Sequence, residues 1–354
     1  MRNLVLLGGG YGNMRILLRL LPNNLPQDVQ ITLVDRAPYH SLKTEFYALA
    51  AGTTPETHMR VTFPTHERLS IVYGEVVNID RDKKAVFLED GKEIPYDELV
   101  IGLGCEDNFH NVPGAEEHSY SIQTMAKSRK AYDAISALPA GATVGIVGAG
   151  LSGIELASEL RESRSDLKIK LFDRGPRILK TFPERLSKYV KKWFDKHDVD
   201  VIANSNITKV GKTALYNHED QIDIDLIVWT AGIQPVKVVR DLELEMDCGR
   251  VAVNQYHQTP VDTSIYVVGD CAASQFGPSA QLAEEQGEQI VTVLKKVWAN
   301  EPLPEKMPDI KLKGFMGALG KKQGFVYLAD RTVTGRIARL MKSGLLWMYK
   351  NQNG

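Results

Sequence analysis

Three cysteines in 354 residues, Cys105, Cys248 and Cys271, form no CxxC pair and are too few for a disulfide framework, which fits a reducing compartment. The chain also lacks an excess of either charge. Its 43 basic and 44 acidic residues leave a formal net charge of -1, so there is no general electrostatic case for nucleic-acid binding. Long apolar runs are missing too: the opening LVLL runs straight into glycines, too short for a signal-peptide core, and no stretch reaches the roughly 18 apolar residues that span a bilayer. The eight histidines show no metal-ligand spacing, so no metal is expected. What remains is a chain of cytoplasmic character, 43% hydrophobic, long enough to bury two ordinary domains and a small appendage.

What the chain does have is glycine, placed twice in the same context. In GATVGIVGAGLSGIELASEL, the run Thr143 to Val147 reads as a buried parallel strand, Gly148, Gly150 and Gly153 complete GxGxxG, and a helix follows. In such a turn the first glycine permits a tight bend, the second lets backbone approach a pyrophosphate, and the third lets helix and strand pack closely. The phosphate then rests on free N–H groups at the helix N-terminus. About 20 residues on, KIKLFD ends in Asp173, where a carboxylate binds ribose hydroxyls. The chain start repeats the plan: strand Leu4 to Leu7, glycines 8, 9, 10 and 12, a helix to about Leu21, and VQITLVD ending in Asp35. Here the third glycine position holds Asn13, whose side chain is expected to hold helix and strand slightly apart, with Gly12 relieving the crowding. Two adenine-dinucleotide sites in one chain point to electron transfer between them.

After Asp35 come a helix-like KTEFYALAAG, strand-like runs around IVYGEVVNID and KAVFLED with turn signals between, and the buried strand YDELVIGLG. The second glycine unit closes with IDLIVWTAGIQP. TSIYVVGDCA is a further buried strand ending in an acid but lacking its own glycine turn, followed by the helical SAQLAEEQGEQIVTVLKKVW. Such a strand most simply returns to complete the first unit. The expected fold is α/β, with two Rossmann-like dinucleotide-binding domains, the second inserted in the first, plus a short C-terminal α/β appendage. The expected divisions are 1–109 and 251–301 for the first domain, 110–250 for the second, and 302–354 for a C-terminal membrane- or dimer-contact segment.

The ordered motifs GGGYG, LVIGLG, GAGLSGIE, WTAGIQP and IYVVGDCA resemble the two-dinucleotide-binding flavoproteins of the pyridine-nucleotide:disulfide oxidoreductase superfamily. Within it, Tyr39-His40, AAG ending at Gly52 and SAQLAEEQG are similar to the type II NADH:quinone oxidoreductases. The resemblance implies FAD at the first site, with Gly8, Gly10 and Gly12 facing the pyrophosphate, Asp35 the ribose and Asp270 a ribityl hydroxyl, and with Arg36, His40, Ala280 and Gln281 among the FAD contacts. It implies NADH at the second, held by Gly148, Gly150, Gly153, Asp173 and Gly232. Glu155 corresponds to the family's acid beside the nicotinamide, where it would hold the carboxamide; the alternative is an acid answering the helix dipole. Lys43 stands where disulfide reductases place a lysine whose charge favours the reduced flavin, or is an ordinary solvated lysine. Glu155 and Lys43 are therefore the candidate catalytic residues.

The absent CxxC argues against disulfide reduction, which needs two neighbouring sulfurs. The family's quinone motif AQxAxQ appears as Ala280 to Glu285, with glutamate in place of the second glutamine. Gln281 can donate to a quinone carbonyl, whereas an ionised Glu285 only accepts. The expected activity is a non-proton-pumping NADH dehydrogenase passing electrons to a quinone. The alternatives are a soluble NAD(P)H-dependent reductase of another acceptor and a low-turnover flavoprotein acting as a redox-dependent binding module. A homodimer, peripheral on the inner face of the cell membrane, is expected. The tail GRIARLMKSGLLWMYK divides at helical spacing into a basic arc (Arg336, Arg339, Lys342, Lys350) and an apolar arc (Ile337, Leu340, Met341, Leu345, Trp347, Met348) suited to a lipid headgroup region. The competing use of that apolar arc is to pack on the protein's own core or a twin subunit.

Overall fold

Runs of valine, leucine and isoleucine bounded by glycine or aspartate form two parallel sheets in the computed structural model, which describes residues 1–21 and 24–353. In the first unit, β1 (Arg2–Leu7) leads through its glycine turn into α1 (Tyr11–Leu20) and on to β2 (Val29–Asp35). The short helix α2 (Phe46–Ala50), β3 (Leu69–Tyr73) and β4 (Glu98–Ile101) follow. An extended segment, β5 (Cys105–Asp107), carries the chain out of this unit. The second unit contains β6 (Tyr120–Ser121), β7 (Thr143–Val147), α3 (Leu151–Ser163), β8 (Lys168–Phe172), β9 (Val199–Ile202) and β10 (Leu226–Trp229). The returning β11 (Ile233–Pro235) pairs antiparallel with β5, so exit and re-entry lie side by side.

Beyond it, β12 (Ile265–Val267) pairs with β4, completing a parallel sheet of order β12-β4-β1-β2-β3. The second sheet has the matching order β6-β10-β7-β8-β9. A later strand thus returns to the first sheet, as the acid-ended TSIYVVGDCA requires. The return comes earlier than 250, however. Val239, Leu242 and Leu244 pack with Val5, Leu7 and Val267 in the first unit's core, so the stretch after β11 belongs with the first unit. Its apolar residues are drawn to the open face of the first sheet, a preference that sequence spacing does not reveal.

The helix α4 (Ala280–Trp298) lies against α1, with Gly287 approaching the Gly12 carbonyl. The C-terminal segment forms an antiparallel sheet, β13 (Gly314–Leu319), β14 (Gln323–Leu328) and β15 (Arg331–Thr334), followed by α5 (Arg336–Asn353). Ala318, Leu319 and Phe325 of this sheet share one core with α3 and α2. The appendage is therefore packed into the rest of the chain. Among the described residues no helix is long and apolar enough to cross a membrane.

Candidate dinucleotide sites and a buried charge cluster

The two glycine turns are built alike down to single hydrogen bonds. Gly8 and Gly148 have φ of +86° and +109°, and a Cβ on either would lie within 3 Å of facing backbone. Gly10 and Gly150 are extended and open their helices with no side-chain cap, which leaves the first amides of α1 and α3 for an anion. The Asp35 carboxylate accepts from the Gly9 amide at 2.5 Å and the Ala37 amide at 2.7 Å. Asp173 does the same with Ala149 at 2.9 Å and Gly175 at 2.7 Å. Each acid therefore braces the turn beside which a ribose would lie. Burial pushes the Asp35 carboxyl up, while its two amide bonds pull it back.

Asn13 is tied to the strand end by its side chain. Its side-chain amide donates to the carbonyls of Leu7 and Gly8 at 2.9 and 2.7 Å, across the end of β1. Room for it comes from Gly102, where a Cβ would sit 2.6 Å from the Asn13 Nδ2. Close packing falls to Gly12: a Cβ there would meet Val268 at 2.5 Å and the Ala283 carbonyl at 3.2 Å, so Gly12 lies tight against the end of β12 and α4. The side-chain amide thus replaces a glycine contact by two buried hydrogen bonds.

Around the first turn, the structure brings Lys43 to Asp270, with Nζ 3.1 Å from Oδ2 and both side chains partly exposed. Lys43 is therefore not merely solvated, and Asp270 is not the cap of the following helix. That role falls to Ser279, whose hydroxyl accepts from the Leu282 amide. Ala280 is the first residue of α4, and Gln281 and Glu285 are half-buried one turn apart on it. Gln286, just beyond the quinone motif, is buried and accepts from the Gly269 amide at 2.8 Å. Arg36 is exposed and lies 3.8 Å from Glu75, at the edge of the site. Gly232 has φ of +119°, and a Cβ there would strike the His110 ring.

His40 is fully buried. Its Nδ1 lies 2.7 Å from the Gly9 carbonyl and its Nε2 3.0 Å from the Tyr349 hydroxyl. Because a carbonyl only accepts, Nδ1 carries the hydrogen and Nε2 accepts from Tyr349. Desolvation pushes the ring down to about 4, so it is neutral at physiological pH. Tyr11 completes an aromatic cluster, its ring centroid 4.7 Å from His40 and 5.4 Å from Tyr349. The last helix of the chain thus reaches the first glycine turn.

That helix also reaches Glu155, whose carboxylate is buried. One oxygen, Oε1, accepts from the Ala318 amide at 2.9 Å and from the Lys342 ammonium at 2.5 Å. The same ammonium donates to the Tyr47 hydroxyl at 2.6 Å and lies 3.4 Å from Glu45 Oε1. The ammonium thus makes two hydrogen bonds and one further ion pair. Glu155 is thus buried among partners near the start of α3. It joins α3 to β13 and α5 in this conformation, a set of contacts made by residues 163 and 187 positions away. Burial raises its carboxyl to about 7 against the lowering pull of Lys342, and raises the Tyr47 hydroxyl well above its usual range. The Lys342 Nζ also lies 4.6 Å from the centroid of the Tyr47 ring.

The sequence pattern groups Lys342 with the basic arc and gives no sign of Glu45, Tyr47 or Tyr349 beside it. Most of the apolar arc faces outward, Ile337 (65% exposed), Leu340 (70%) and Trp347 (65%) with Leu345 and Met348, while Ala338, Lys342, Leu346 and Tyr349 form the inward stripe. The apolar arc is thus not covered by the chain's own core. One signal was available, the lysine at helical spacing between Ala338, Leu346 and Tyr349.

Two glycine turns on parallel sheets, each with an acid-ended second strand, define a protein with two dinucleotide sites, FAD fitting the first and NADH the second. The chain belongs to the pyridine nucleotide-disulphide oxidoreductase family, whose pattern matches residues 2–287. It is 61% identical over 355 residues to the NADH dehydrogenase-like protein YutJ of Bacillus subtilis (strain 168), covering all of both chains. It is 27% identical to the type II NADH:quinone oxidoreductase of Haemophilus influenzae, over 99% of this chain and 94% of that protein. Among solved structures, NDH2 from Plasmodium falciparum in complex with NADH superposes with a TM-score of 0.85 at 16% identity, over 99% of this chain and 96% of that one, a likeness of fold.

Proposed function

We propose that the chain oxidises NADH through FAD and passes the electrons to a quinone taken from a membrane surface. The observation that carries this reading is the double face of α5: its inner side enters the site through Lys342 and Tyr349, while its outer side offers Ile337, Leu340, Trp347 and Met348 to solvent. A helix so placed suits an acceptor that arrives from lipid. The relatives' names, NADH dehydrogenase-like and type II NADH:quinone oxidoreductase, support the same reading.

The first glycine turn and the N-terminus of α1 would hold the FAD pyrophosphate, Asp35 its ribose, and Asp270 with Lys43 its ribityl and ring end. When bound, FAD supplies a carrier that takes two electrons from nicotinamide and gives them up to an acceptor. The protein's own part is positioning: α3 and its glycine turn hold NADH, and Asp173 favours it over NADPH by repelling a 2'-phosphate. Arg177 does not offset this, because its guanidinium is bonded to the carbonyls of Leu179, Lys180 and Phe182. The sulfur route of the wider family finds no support. Cys271 is buried with its thiol pushed up to about 12, Cys105 is pushed up further by burial, and neither resembles a reactive thiolate.

A soluble reductase of a non-quinone acceptor is the second reading, favoured by Glu285 standing where an amide donor is expected. Steady-state NADH oxidation separates the two. The proposal expects a short-chain quinone to sustain faster turnover than oxygen. Turnover with ferricyanide but none with any quinone would establish the second reading.

A further inference from the structure

Around Lys342 the buried charges do not balance. The ammonium faces two carboxylates, Glu155 from α3 and Glu45 from the turn before α2, and their side chains are only 5% and 7% exposed. Tyr47 of α2 adds a hydroxyl, 3.5 Å from Glu45 Oε2, and β13 contributes only the neutral Ala318 amide. The neighbouring pair on the same two helices, Arg339 and Glu159 at 3.8 Å, is neutral in itself. With every group ionised, the cluster would hold three carboxylates against two cations. An uncompensated buried charge costs several kcal/mol, so binding one proton is the cheaper state.

We propose that Glu45 and Glu155, which flank the Lys342 ammonium, share that single cation, so that Glu45 sets whether Glu155 holds a proton. Lys342 is the natural centre for such sharing, since it touches both acids and Glu159 has Arg339 as its own cation. Glu45 is then a positioning residue acting through Glu155. In its absence Lys342 and Glu155 would form a balanced pair and both stay ionised. The raised carboxyl of Glu155, to which Glu45 contributes by charge repulsion, agrees with this arrangement. Any consequence for turnover rests on the reading of Glu155 as the acid near the nicotinamide. The proton itself does not, and it is measured without nucleotide or acceptor.

The test is infrared titration of the purified full chain, following the C=O stretch of buried protonated carboxyls. The wild type should lose one such band as pH rises through about 7. Glu155→Gln should remove it from the neutral range. Glu45→Gln should lower its midpoint by a pH unit or more, a tenfold or greater loss of proton affinity, while Glu45→Asp should restore much of it and Glu159→Gln should leave it in place. A midpoint unchanged in Glu45→Gln would overturn the proposal, as would a wild type with no such band at about pH 6. If Glu45→Gln does not fold, Glu45→Asp decides by its midpoint: the longer reach to Lys342 should place it below the wild type, and an identical midpoint would refute the sharing.

Discussion

Replacing Lys342 by methionine keeps much of the aliphatic stem and removes the charge, which isolates the ammonium's contribution. In the wild type, Glu155 titrates near 7 in the folded chain against 4.5 for the free side chain. A carboxyl raised by folding binds its proton more tightly in the native state, so its contribution to stability is full below about 4.5 and declines as pH climbs to about 7. At roughly 1.4 kcal/mol per unit, that decline is on the order of 3 kcal/mol. Lys342 is the largest influence pulling Glu155 down, so its loss extends the decline to higher pH. At about pH 8 no cation then stands beside Glu155, and breaking a buried pair in this way costs about 3–5 kcal/mol. At about pH 5 Glu155 is protonated in both proteins, and the part of the deficit due to its broken pair shrinks toward the ~1 kcal/mol of a lost hydrogen bond. Urea unfolding of both proteins at the two pH values measures the gap. A gap that stays constant with pH, or a variant as stable as the wild type at about pH 8, would refute the cluster as the anchor of α5.

Asp270→Ala should weaken FAD retention by removing a charge-assisted bond worth about 1.5–3 kcal/mol, read as flavin released on gel filtration; equal retention would take Asp270 out of the site. Asn13→Gly, which restores the usual glycine, should cost about 2 kcal/mol in thermal or urea unfolding because two buried hydrogen bonds are lost, whereas a stabilised variant would show that Asn13 is a wedge after all. The specificity constant for NADH should exceed that for NADPH by at least about tenfold; the reverse order would mean that the exposed Arg174 captures the 2'-phosphate. The chain should sediment with anionic liposomes at low salt, and Leu340→Gln with Trp347→Gln should abolish this while leaving FAD bound. Sedimentation unaffected by the double change would move lipid contact off α5.

Both sheets were legible because their signals are local. A buried apolar run, a glycine turn and an acid about 20 residues later identify the same unit wherever it falls, and β12 could be assigned to the first sheet because it lacked a turn of its own. The side-chain amide of Asn13 was not legible, since its room comes from Gly102 on another strand. Nor was the early return of the chain after β11, which depends on Val239 and Leu242 finding the first unit's core. Helical periodicity divided α5 into two faces but could not say which looked inward. That was decided by Glu45 and Glu155, acids distant in sequence that make a lysine, rather than leucine or tryptophan, the residue worth burying. Glu155 itself was singled out from its place after the glycine turn, while its partners come from the C-terminal segment, where the only signal is a lysine at helical spacing with Ala338, Leu346 and Tyr349.

The central claim, that NADH reduces a flavin held by the first glycine turn and that a quinone reoxidises it, is tested most directly by anaerobic spectroscopy of the purified protein. Adding NADH should bleach the flavin band stoichiometrically, and a short-chain quinone should restore it within the turnover time. No bleaching by NADH would contradict the account at its root. Bleaching that ferricyanide reverses and every quinone leaves untouched would contradict its acceptor.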